Sequence, residues 1–463
     1  MMSRMALSSL AGKRIHFIGI GGAGMSGLAR IALSHSIRVS GSDAKDSSVV
    51  KALKALGASI SISHASENVD GADVVVFSSA ISATNPEIIR AGELGLALLT
   101  RAAALAILMS ESKSIAVAGT HGKTTTSSML AVALQACAED PSFAIGGTIT
   151  ASGSNAHRGT GNIFVAEADE SDGSFIEYHP FAAIVTNVEH DHVDYFATAA
   201  DVDTAFKEFA LTINPEGFLT YCADDPGACA LVSQTGELSV ISYGVSESAD
   251  MRLDQIELGA SGSKARALWH GKAVGFIELM VPGHHNLLNA AAVLATGIAL
   301  GCAPAELLTG LATFRGTGRR FELVGTVHGI RVVDDYGHHP TEIKVTLDAA
   351  RRYAGDGRLL VIFQPHRYSR TRAFAENFAQ ALDVADRVIV LEIYAASEKP
   401  IQGVTSQLIT NVMTHGEYIP NFVEVTDQII NFAQPGDVII TLGAGDVSSL
   451  APIIVDGLSR RFN

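Results

Sequence analysis

Short apolar runs alternate with Ala- and Leu-rich stretches along the whole chain, and this alternation limits the possible folds more than any other feature. Parallel strands that are buried on both faces have this composition, and successive strands need a crossover connection that is usually a helix. We therefore predict an α/β fold built of parallel layers. The predicted strands cover residues 14–20, 72–80, 114–119, 162–168, 181–187, 358–365, 386–394 and 437–443.

The chain length of 463 residues predicts about three domains, at roughly 150 residues each. One boundary lies near 100–112, before a second glycine-rich strand–helix unit, and another lies near 314–319, before a fresh strand. Shorter β-like segments with Gly and Ser fill about 236–280, and we predict that they form an antiparallel insertion. The predicted domains are 1–105, 106–317 and 318–463.

Composition and charge exclude several classes of protein. Hydrophobic residues make up 47% of the chain and charged residues 17%, which argues against disorder. The formal charge of −15 argues against nucleic acid as the main partner, because a phosphate backbone needs a basic face. No signal peptide is evident, and the lipophilic segment 94–109 is broken by Thr100 and Arg101, so we expect a buried strand followed by a helix, or an interdomain join, there.

We therefore expect a cytoplasmic protein without membrane insertion. Its scattered cysteines form no CxxC pair and are predicted to be reduced core thiols. They are Cys137, Cys222, Cys229 and Cys302.

The segment GIGGAGMSG (19–27) follows the first predicted strand. Gly19, Gly21 and Gly24 match G-x-G-x-x-G, and Asp43 lies at the separation expected of an acidic residue that contacts a ribose. Such a loop brings backbone N–H groups close to a diphosphate at a helix N-terminus. The motif predicts a bound nucleotide diphosphate but not which nucleotide, and tight turn packing is the alternative.

The segment GTHGKTTT (119–126) is a second strand-to-helix junction. Lys123 is placed to reach terminal phosphates, and Thr124 has the hydroxyl that binds Mg²⁺ in phosphate-binding loops. The usual loop has a glycine five positions before Gly122, where this chain has Val117. A capped strand–helix turn without a ligand is the alternative, although Gly-Lys-Thr-Thr is an odd choice for capping alone.

Two polar segments follow the next predicted strands. EADESD (167–172) concentrates carboxylates that repel one another unless a cation or solvent relieves them, and Glu167, nearest the strand end, is a candidate ligand of Mg²⁺ or of its water. EHDHVDYF (189–196) has residues of metal-ligand type, yet no second histidine cluster completes a zinc set. Together they predict a magnesium–phosphate site. A solvated acidic loop and a satisfied polar loop are the alternatives.

Later segments supply amides and cations. HNLLNAAA (285–292) predicts a helix with Asn286 and Asn289 on one face, and capping explains only one of the two. GRRFE, DDYGHHPTE and FQPHRYSRT follow at strand ends, with arginines that suit carboxylates or phosphates, namely Arg320, Arg367 and Arg370. A dehydrogenase would explain the first glycine loop but not the second, and a simple ATPase would explain the second but not the first. Two nucleotides, one hydrolysed and one carrying a substrate, account for both loops.

From end to end and in this order, these segments resemble the Mur ligase family, in the branch that joins L-alanine to UDP-N-acetylmuramate during peptidoglycan synthesis. In that family the short Gly-x-x-Gly-Lys-Thr spacing is the normal form of the loop. The resemblance implies an N-terminal Rossmann-like UDP-binding domain, a central P-loop-type ATPase domain and a C-terminal Rossmann-like domain. It implies ATP and Mg²⁺ as cofactors, UDP-N-acetylmuramate and L-alanine as substrates, and a monomer or homodimer.

The resemblance also assigns residues by their place in these motifs. ATP is expected on Gly119, Thr120, His121, Gly122, Lys123, Thr124 and Thr125, with its adenine on Asn286 and Asn289. Mg²⁺ is expected on Thr124, Glu167 and His192. The UDP-sugar is expected on Gly21, Gly22, Gly24, Ser26 and Asp43. The alanine and the muramoyl carboxylate are expected on Tyr336, His338, His366, Arg367 and Arg370. The catalytic set is Lys123, Glu167, His192, Arg320, Asp335 and His338.

The implied reaction activates a carboxylate. ATP phosphorylates the lactyl carboxylate, the amine of L-alanine attacks the acyl phosphate, and His338 is the candidate base for the amine proton. Related Mur ligases carry a carbamylated lysine, a role that we do not assign to Lys207, and His190 has no assigned role. The rivals are a recycling ligase that attaches a whole tripeptide and, from another class, an NAD-dependent oxidoreductase or a nucleotide sensor.

Overall fold

The computed structural model describes residues 6–78, 80–396 and 398–462, and three β-sheets follow one another along these residues. Each sheet has a parallel core with helices packed on it, so the predicted three-domain α/β fold is confirmed. The predicted boundaries at 105/106 and 317/318 stay predictions. No helix of the described residues has the length and apolar character needed to cross a membrane.

The N-terminal domain has one parallel sheet in the order β3-β2-β1-β4-β5. Its strands are β1 (Arg14–Ile18), β2 (Arg38–Asp43), β3 (Ser59–Ile62), β4 (Val74–Phe77) and β5 (Ala97–Thr100), and its helices are α1 (Ala23–Ser34), α2 (Ser48–Ala55), α3 (Pro86–Glu93) and α4 (Arg101–Met109). The strand order reverses beside β1, where open α/β sheets bind ligands beyond the carboxyl ends of their strands. The glycine-rich segment 19–27 begins there. Ser79, inside the predicted strand 72–80, lies outside the described residues.

The central domain has a ten-stranded sheet in the order β15-β14-β13-β12-β11-β10-β6-β9-β7-β8. Its strands are β6 (Lys113–Ala118), β7 (Ser142–Ile149), β8 (Ser154–His157), β9 (Ile163–Glu167), β10 (Ala182–Val185), β11 (Phe218–Cys222), β12 (Ser239–Gly244), β13 (Met251–Leu258), β14 (Ser263–Trp269) and β15 (Lys272–Leu279). Its helices are α5 (Lys123–Ala136), α6 (Ala199–Ala210), α7 (Pro226–Val232), α8 (His284–Ala299) and α9 (Pro304–Thr313).

The prediction of an antiparallel insertion over 236–280 is partly wrong. Strands β13, β14 and β15 pair antiparallel, as expected for short meandering segments. Strand β12, however, pairs parallel with β11 and with β13. The helix α7 provides the crossover that a parallel β11–β12 pair requires, and that helix precedes the segment on which the prediction was based.

The C-terminal domain has a six-stranded sheet in the order β16-β17-β21-β18-β19-β20, with β16 antiparallel at the edge. Its strands are β16 (Glu322–Val327), β17 (Ile330–Asp335), β18 (Leu359–Phe363), β19 (Arg387–Val390), β20 (Glu417–Tyr418) and β21 (Val438–Leu442). Its helices are α10 (Pro340–Ala354), α11 (Tyr368–Leu382), α12 (Gln407–Thr410), α13 (Phe422–Phe432) and α14 (Leu450–Phe462).

The apolar cores show how the domains meet. One continuous cluster of buried residues joins the N-terminal and central domains, with Met25 and Leu28 of α1 and Ala156 of β8 among its members. The C-terminal sheet has a separate core on each of its faces. Its contact with the central domain includes ion pairs and a hydrogen bond, described below.

The four cysteines are free thiols. Cys222 is buried and Cys137 and Cys302 are half-buried, but Cys229 is exposed, so the prediction of core thiols is wrong at that position. Cys229 lies on the short helix α7 at the surface, where its Sγ faces the carbonyl oxygen of Ala223 at 3.4 Å.

Candidate active site

The loop between β6 and α5 explains why Val117 replaces a glycine. Val117 is a fully buried residue of β6, in register with Ile184 on one side and Glu167 on the other, so the strand continues where a longer loop would begin. Glycine is required further on. Gly119 has a φ of 129°, and a Cβ at that position would lie 2.0 Å from Thr186 Oγ1.

Lys123 lies at the first turn of α5 and points back over the loop. Its Nζ donates to the carbonyl oxygens of Gly119 and Thr120 at 2.6 and 3.0 Å, and it pairs with Glu170 at 2.7 Å. Burial by itself lowers the pKa of Lys123, but Glu170 and Asp169 raise it above its ordinary value. The half-buried lysine is therefore charged and relieves the carboxylate repulsion predicted for EADESD.

Glu167 ends β9 and faces the start of α5. Its Oε1 accepts from Thr124 Oγ1 at 2.8 Å, and its Oε2 accepts from the backbone N–H of Gly146 at 2.6 Å. The two predicted oxygen ligands of a metal ion therefore lie side by side. A Cβ at Gly146 would lie 2.9 Å from both carboxylate oxygens, so glycine is what lets this backbone approach Glu167.

Glu170 is a site residue that the sequence reasoning missed. It is almost fully buried, and its Oε1 accepts from Lys123 Nζ at 3.0 Å and faces His192 Nε2 at 3.1 Å. It thereby joins Lys123, in the first turn after the loop 119–122, to the predicted metal ligand His192. Glu170 belongs to the EADESD motif, but Glu167 was predicted as the site residue because it lies nearest the end of the strand. His192 itself has a φ of 51°, in the left-handed region that is unusual for a residue other than glycine.

A cavity of about 300 Å³ lies between the central and C-terminal domains. Asn286 and Asn289 of α8 face it together, and Asn289 Nδ2 lies 3.5 Å from Asn286 Oδ1. The structure thus brings the predicted adenine residues beside the loop residues and beside two residues of the C-terminal domain. The predicted site residues that line this cavity are His121, Gly122, Thr125, Asn286, Asn289, Arg320 and Asp335.

A second cavity, of about 320 Å³, lies between the N-terminal and central domains. Gly22 and Gly24 line it from one side and Glu167 from the other. Gly21 and Asp43 do not line it, because the Asp43 carboxylate accepts from the backbone N–H of Gly21 at 2.8 Å and shapes the loop instead. Ser26, in the first turns of α1, is buried and does not line it either.

Arg101 is a second residue that the sequence reasoning missed. It lines the second cavity, and its Nη2 lies 3.8 Å from Asp169 Oδ2. A Cβ at Gly24 would lie 2.9 Å from Arg101 Cδ, so the glycine leaves room for this side chain. The available signal was a single cation at a strand–helix junction inside an apolar segment, which was used only to exclude a membrane helix.

Residues that follow β17 line the C-terminal side of the interface. Asp335 accepts from the backbone N–H groups of Phe321 and Gly337, both at 2.8 Å, and burial raises its pKa above the ordinary value. The rings of Tyr336 and His338 are 5.3 Å apart, centroid to centroid.

The ring of His366, which follows β18, lies 5.7 Å from that of His338. His338 Nδ1 lies 3.1 Å from the carbonyl oxygen of Tyr336, and burial lowers the pKa of His338 well below its ordinary value. A proton on Nδ1 donates to that carbonyl and leaves Nε2 with the lone pair.

The two predicted carboxylate-binding arginines already have protein partners. Arg367 pairs with Asp194 of the central domain, and Arg370 pairs with Asp191. Arg370 is buried, and its Nη1 also faces His366 Nδ1 at 3.2 Å. Both arginines therefore hold the C-terminal domain to the central one in this structure, and their binding of a substrate carboxylate stays a prediction.

His190 and Lys207, to which no role was assigned, lie away from both cavities. His190 Nε2 lies 3.2 Å from the carbonyl oxygen of Phe196, a contact that closes the loop between them. Lys207 is exposed on the last turns of α6. Neither one lines either cavity.

Profiles of one family match most of the chain. Residues 14–113 match "Mur ligase family, catalytic domain", residues 117–297 match "Mur ligase middle domain", and residues 319–445 match "Mur ligase, glutamate ligase domain". The chain belongs to the Mur ligase family. The predicted family is thus confirmed, and the order of the three matches follows the order of the three sheets.

This Mur ligase is 49% identical over 448 residues to the UDP-N-acetylmuramate–L-alanine ligase of Paenarthrobacter aurescens (strain TC1), a match that covers 96% of this chain and 97% of the relative. Among solved structures, the UDP-N-acetylmuramate–alanine ligase of Thermotoga maritima superposes with a TM-score of 0.82 at 30% identity, over 97% of this Mur ligase and 99% of that chain. A murein peptide ligase from Psychrobacter arcticus 273-4 superposes with a TM-score of 0.73 at 25% identity, over 97% and 99%.

Proposed function

We propose that this Mur ligase joins L-alanine to the lactyl carboxylate of UDP-N-acetylmuramate, with ATP converted to ADP and phosphate, in the cytoplasmic steps of peptidoglycan synthesis. The proposal rests mainly on one hydrogen bond that links residues beside two separate cavities. Gly122 and Thr125 line the cavity between the central and C-terminal domains. Glu167 lines the cavity between the N-terminal and central domains, and it accepts a hydrogen bond from Thr124 Oγ1. A phosphoryl group bound at this point lies between the two ligands.

ATP binds in the cavity between the central and C-terminal domains. The loop 119–125 holds its phosphates at the N-terminus of α5, where backbone N–H groups favour anions. Lys123 supplies the charge that offsets the phosphoryl group in the transition state, and Asn286 and Asn289 meet the adenine. Arg320 and Asp335 complete the site from the C-terminal domain.

The donor set fits Mg²⁺. Thr124 and Glu167 offer a hydroxyl and a carboxylate oxygen 2.8 Å apart, the hard oxygen ligands that this ion prefers, and His192 is held through Glu170 to Lys123, the residue before Thr124. Thr124, Glu167 and His192 would hold the ion, which would offset negative charge on the phosphates. The protein side chains orient the phosphates, while the buried Glu170 keeps Lys123 and His192 in place.

UDP-N-acetylmuramate binds in the second cavity, with Gly22 and Gly24 at its diphosphate. Its lactyl carboxylate extends toward Glu167 and the ATP phosphates, and attacks the terminal phosphorus to give an acyl phosphate and ADP. Arg101 offers a cation to the bound diphosphate or carboxylate. Closure of the domains excludes water, which would otherwise hydrolyse the acyl phosphate.

L-Alanine binds beside Tyr336, His338 and His366, and its amine attacks the acyl carbon. The carbon–nitrogen bond forms and phosphate leaves. His338 is neutral because burial lowers its pKa, so its Nε2 lone pair is free to accept the amine proton. The guanidinium groups of Arg367 and Arg370 suit the carboxylates of the two substrates.

The mass of the product formed from UDP-N-acetylmuramate, ATP and L-alanine tests the proposal. We expect one alanine residue to be added and one phosphate to be released per product. A whole tripeptide is the control acceptor, because the rival is a recycling ligase that attaches one and a murein peptide ligase is among the solved structures that superpose. Faster phosphate release with the tripeptide than with L-alanine would contradict the proposal, whereas identity of 49% to an alanine ligase supports alanine.

A further inference from the structure

The carboxylate of Glu342, in the first turn of α10, faces residues on both sides of the cavity between the central and C-terminal domains. We infer that Glu342 is a positioning residue that couples the ATP loop of the central domain to Arg320 and His338 of the C-terminal domain. The inference rests on the proposed function, because it assigns a task within the same reaction. Glu342 is buried and lines the interdomain cavity.

The two carboxylate oxygens of Glu342 have different partners. Oε1 lies 3.4 Å from His121 Nδ1 and 3.6 Å from Arg320 Nη1, so it faces the ATP loop and the arginine together. Oε2 accepts from the backbone N–H of His338 at 3.0 Å and lies 3.3 Å from the Nδ1 of the same residue. One side chain thus contacts three residues that the proposed reaction uses.

His121 is held from both domains. Its Nε2 lies 2.9 Å from Glu189 of the central domain, and its Nδ1 faces Glu342 of the C-terminal domain. Thr341, next to Glu342, donates to the other oxygen of Glu189 at 2.8 Å. His121 therefore has both carboxylate partners only when the two domains are together. Glu342 is thus a contact through which closure of the domains affects the loop 119–125.

Helix capping does not account for Glu342. The helix α9 begins in the same way, with Pro304 at its first position and Glu306 two residues later, yet Glu306 is exposed. An exposed acidic residue already stabilises a helix N-terminus through its interaction with the helix dipole. Burial of the Glu342 carboxylate has a desolvation cost that capping does not require, so its cationic and hydrogen-bonding partners are the reason for its position.

The test compares Glu342→Gln with Glu306→Gln, which removes the same charge from the same helix position. For Glu342→Gln we expect kcat to fall about tenfold or more and the KM for ATP to rise, while the Kd for UDP-N-acetylmuramate stays within about twofold. Glu306→Gln should match the wild type in all three. Glu342→Asp keeps the charge and should recover a large part of the lost kcat.

A double-mutant cycle with His121→Gln tests the coupling itself. If Glu342 acts through the ATP loop, Glu342→Gln should cost little further activity when His121→Gln is already present. Wild-type kcat and ATP KM in Glu342→Gln, additive losses in the cycle, or equal losses in the Gln and Asp variants with lowered thermal stability would each overturn the inference. An inactive wild type in the same assay would instead count against the proposed function.

Discussion

Asp191 and Arg370 form a two-pronged ion pair that joins the central and C-terminal domains. Arg370 Nε and Nη2 donate to Asp191 Oδ1 at 3.0 and 2.9 Å, and Nη2 also donates to Oδ2 at 3.1 Å. Both side chains are 3% exposed. Burial alone would raise the pKa of Asp191, but Arg370 holds it well below the ordinary value. The pair therefore stays charged where water is excluded, and it exists only when the two domains are in contact.

Removal of one partner from this pair should leave a buried charge without compensation. We expect Asp191→Asn to lower the free energy of unfolding by about 3–5 kcal/mol, as urea denaturation would measure. The matched control is Asp194→Asn, three residues further along, whose pair with Arg367 is 27–30% exposed. That change should cost less than about 1 kcal/mol, and equal losses in the two variants would contradict the distinction.

Lys123→Ala should abolish most phosphate release without loss of UDP-sugar binding. Loss of a preorganised charge at the transferring phosphoryl group costs about 10²–10³-fold in kcat. Activity assays with ATP at saturation, and calorimetry with UDP-N-acetylmuramate, would measure the two effects. Wild-type turnover in Lys123→Ala would contradict the assigned role.

Lys207→Ala is the control for the loss of Lys123, since Lys207 is exposed and lines neither cavity. We expect normal activity in this variant. Intact mass measurement of the wild type should also show no added CO₂ on Lys207. A carbamylated Lys207, or a large loss of activity, would contradict this prediction and indicate that Lys207 takes part in the active site.

Gly122→Ala should weaken ATP binding while the chain still folds. Gly122 has a φ of 82°, and a Cβ there would lie 3.0 Å from Asn289 Oδ1, inside the proposed adenine site. The control is Gly153→Ala, at a φ of 65° with open space around its Cβ position. Both changes carry a backbone strain of about 1 kcal/mol. Only Gly122→Ala should raise the KM for ATP, and a similar rise in Gly153→Ala would refute the contact.

The carboxylate of Glu87 should make the stability of the N-terminal domain depend on acid pH. Its buried carboxylate accepts from Ser42 Oγ at 2.6 Å, and the Ser42 carbonyl in turn accepts from the N–H groups of Gly19 and Ile20. Burial alone would raise the pKa of Glu87, but His16, whose Nε2 lies 3.7 Å from the carboxylate, and hydrogen bonds from Asn68 and Ser42 lower it from 4.5 to about 2. The charged form is thus favoured in the folded state, and its stabilisation is complete above pH 4.5 and is lost as the pH falls toward 2.

Comparison of the wild type with Glu87→Gln isolates this contribution from other carboxylates. At pH 7 we expect the variant to be less stable by something on the order of 3 kcal/mol. The difference in urea midpoint should shrink between pH 4.5 and pH 2, since the wild-type carboxyl protonates over that interval. A difference that does not change with pH would mean that Glu87 contributes by packing and not by its charge.

Local patterns were enough to predict much of the molecule. The strand-to-helix junctions at GIGGAGMSG and GTHGKTTT lie where apolar runs end, because a buried parallel strand and its crossover helix are encoded in neighbouring residues. The prediction for 236–280 was partly wrong because the partner of β12 is chosen by the helix before it. Glu167 was selected over Glu170 because proximity to a strand end is visible in the sequence, whereas contact with Lys123 and His192 is not.

The sequence by itself determined the family, the order of the α/β units and the positions of the two glycine loops, since all of these depend on short segments and their spacing. Only the tertiary structure decided which charges face one another. Asp191 and Arg370 are 179 residues apart, and Thr341 reaches Glu189 from another domain. Such pairs depend on how separately folded sheets pack together, and a buried charge is stable only where that packing supplies its partner.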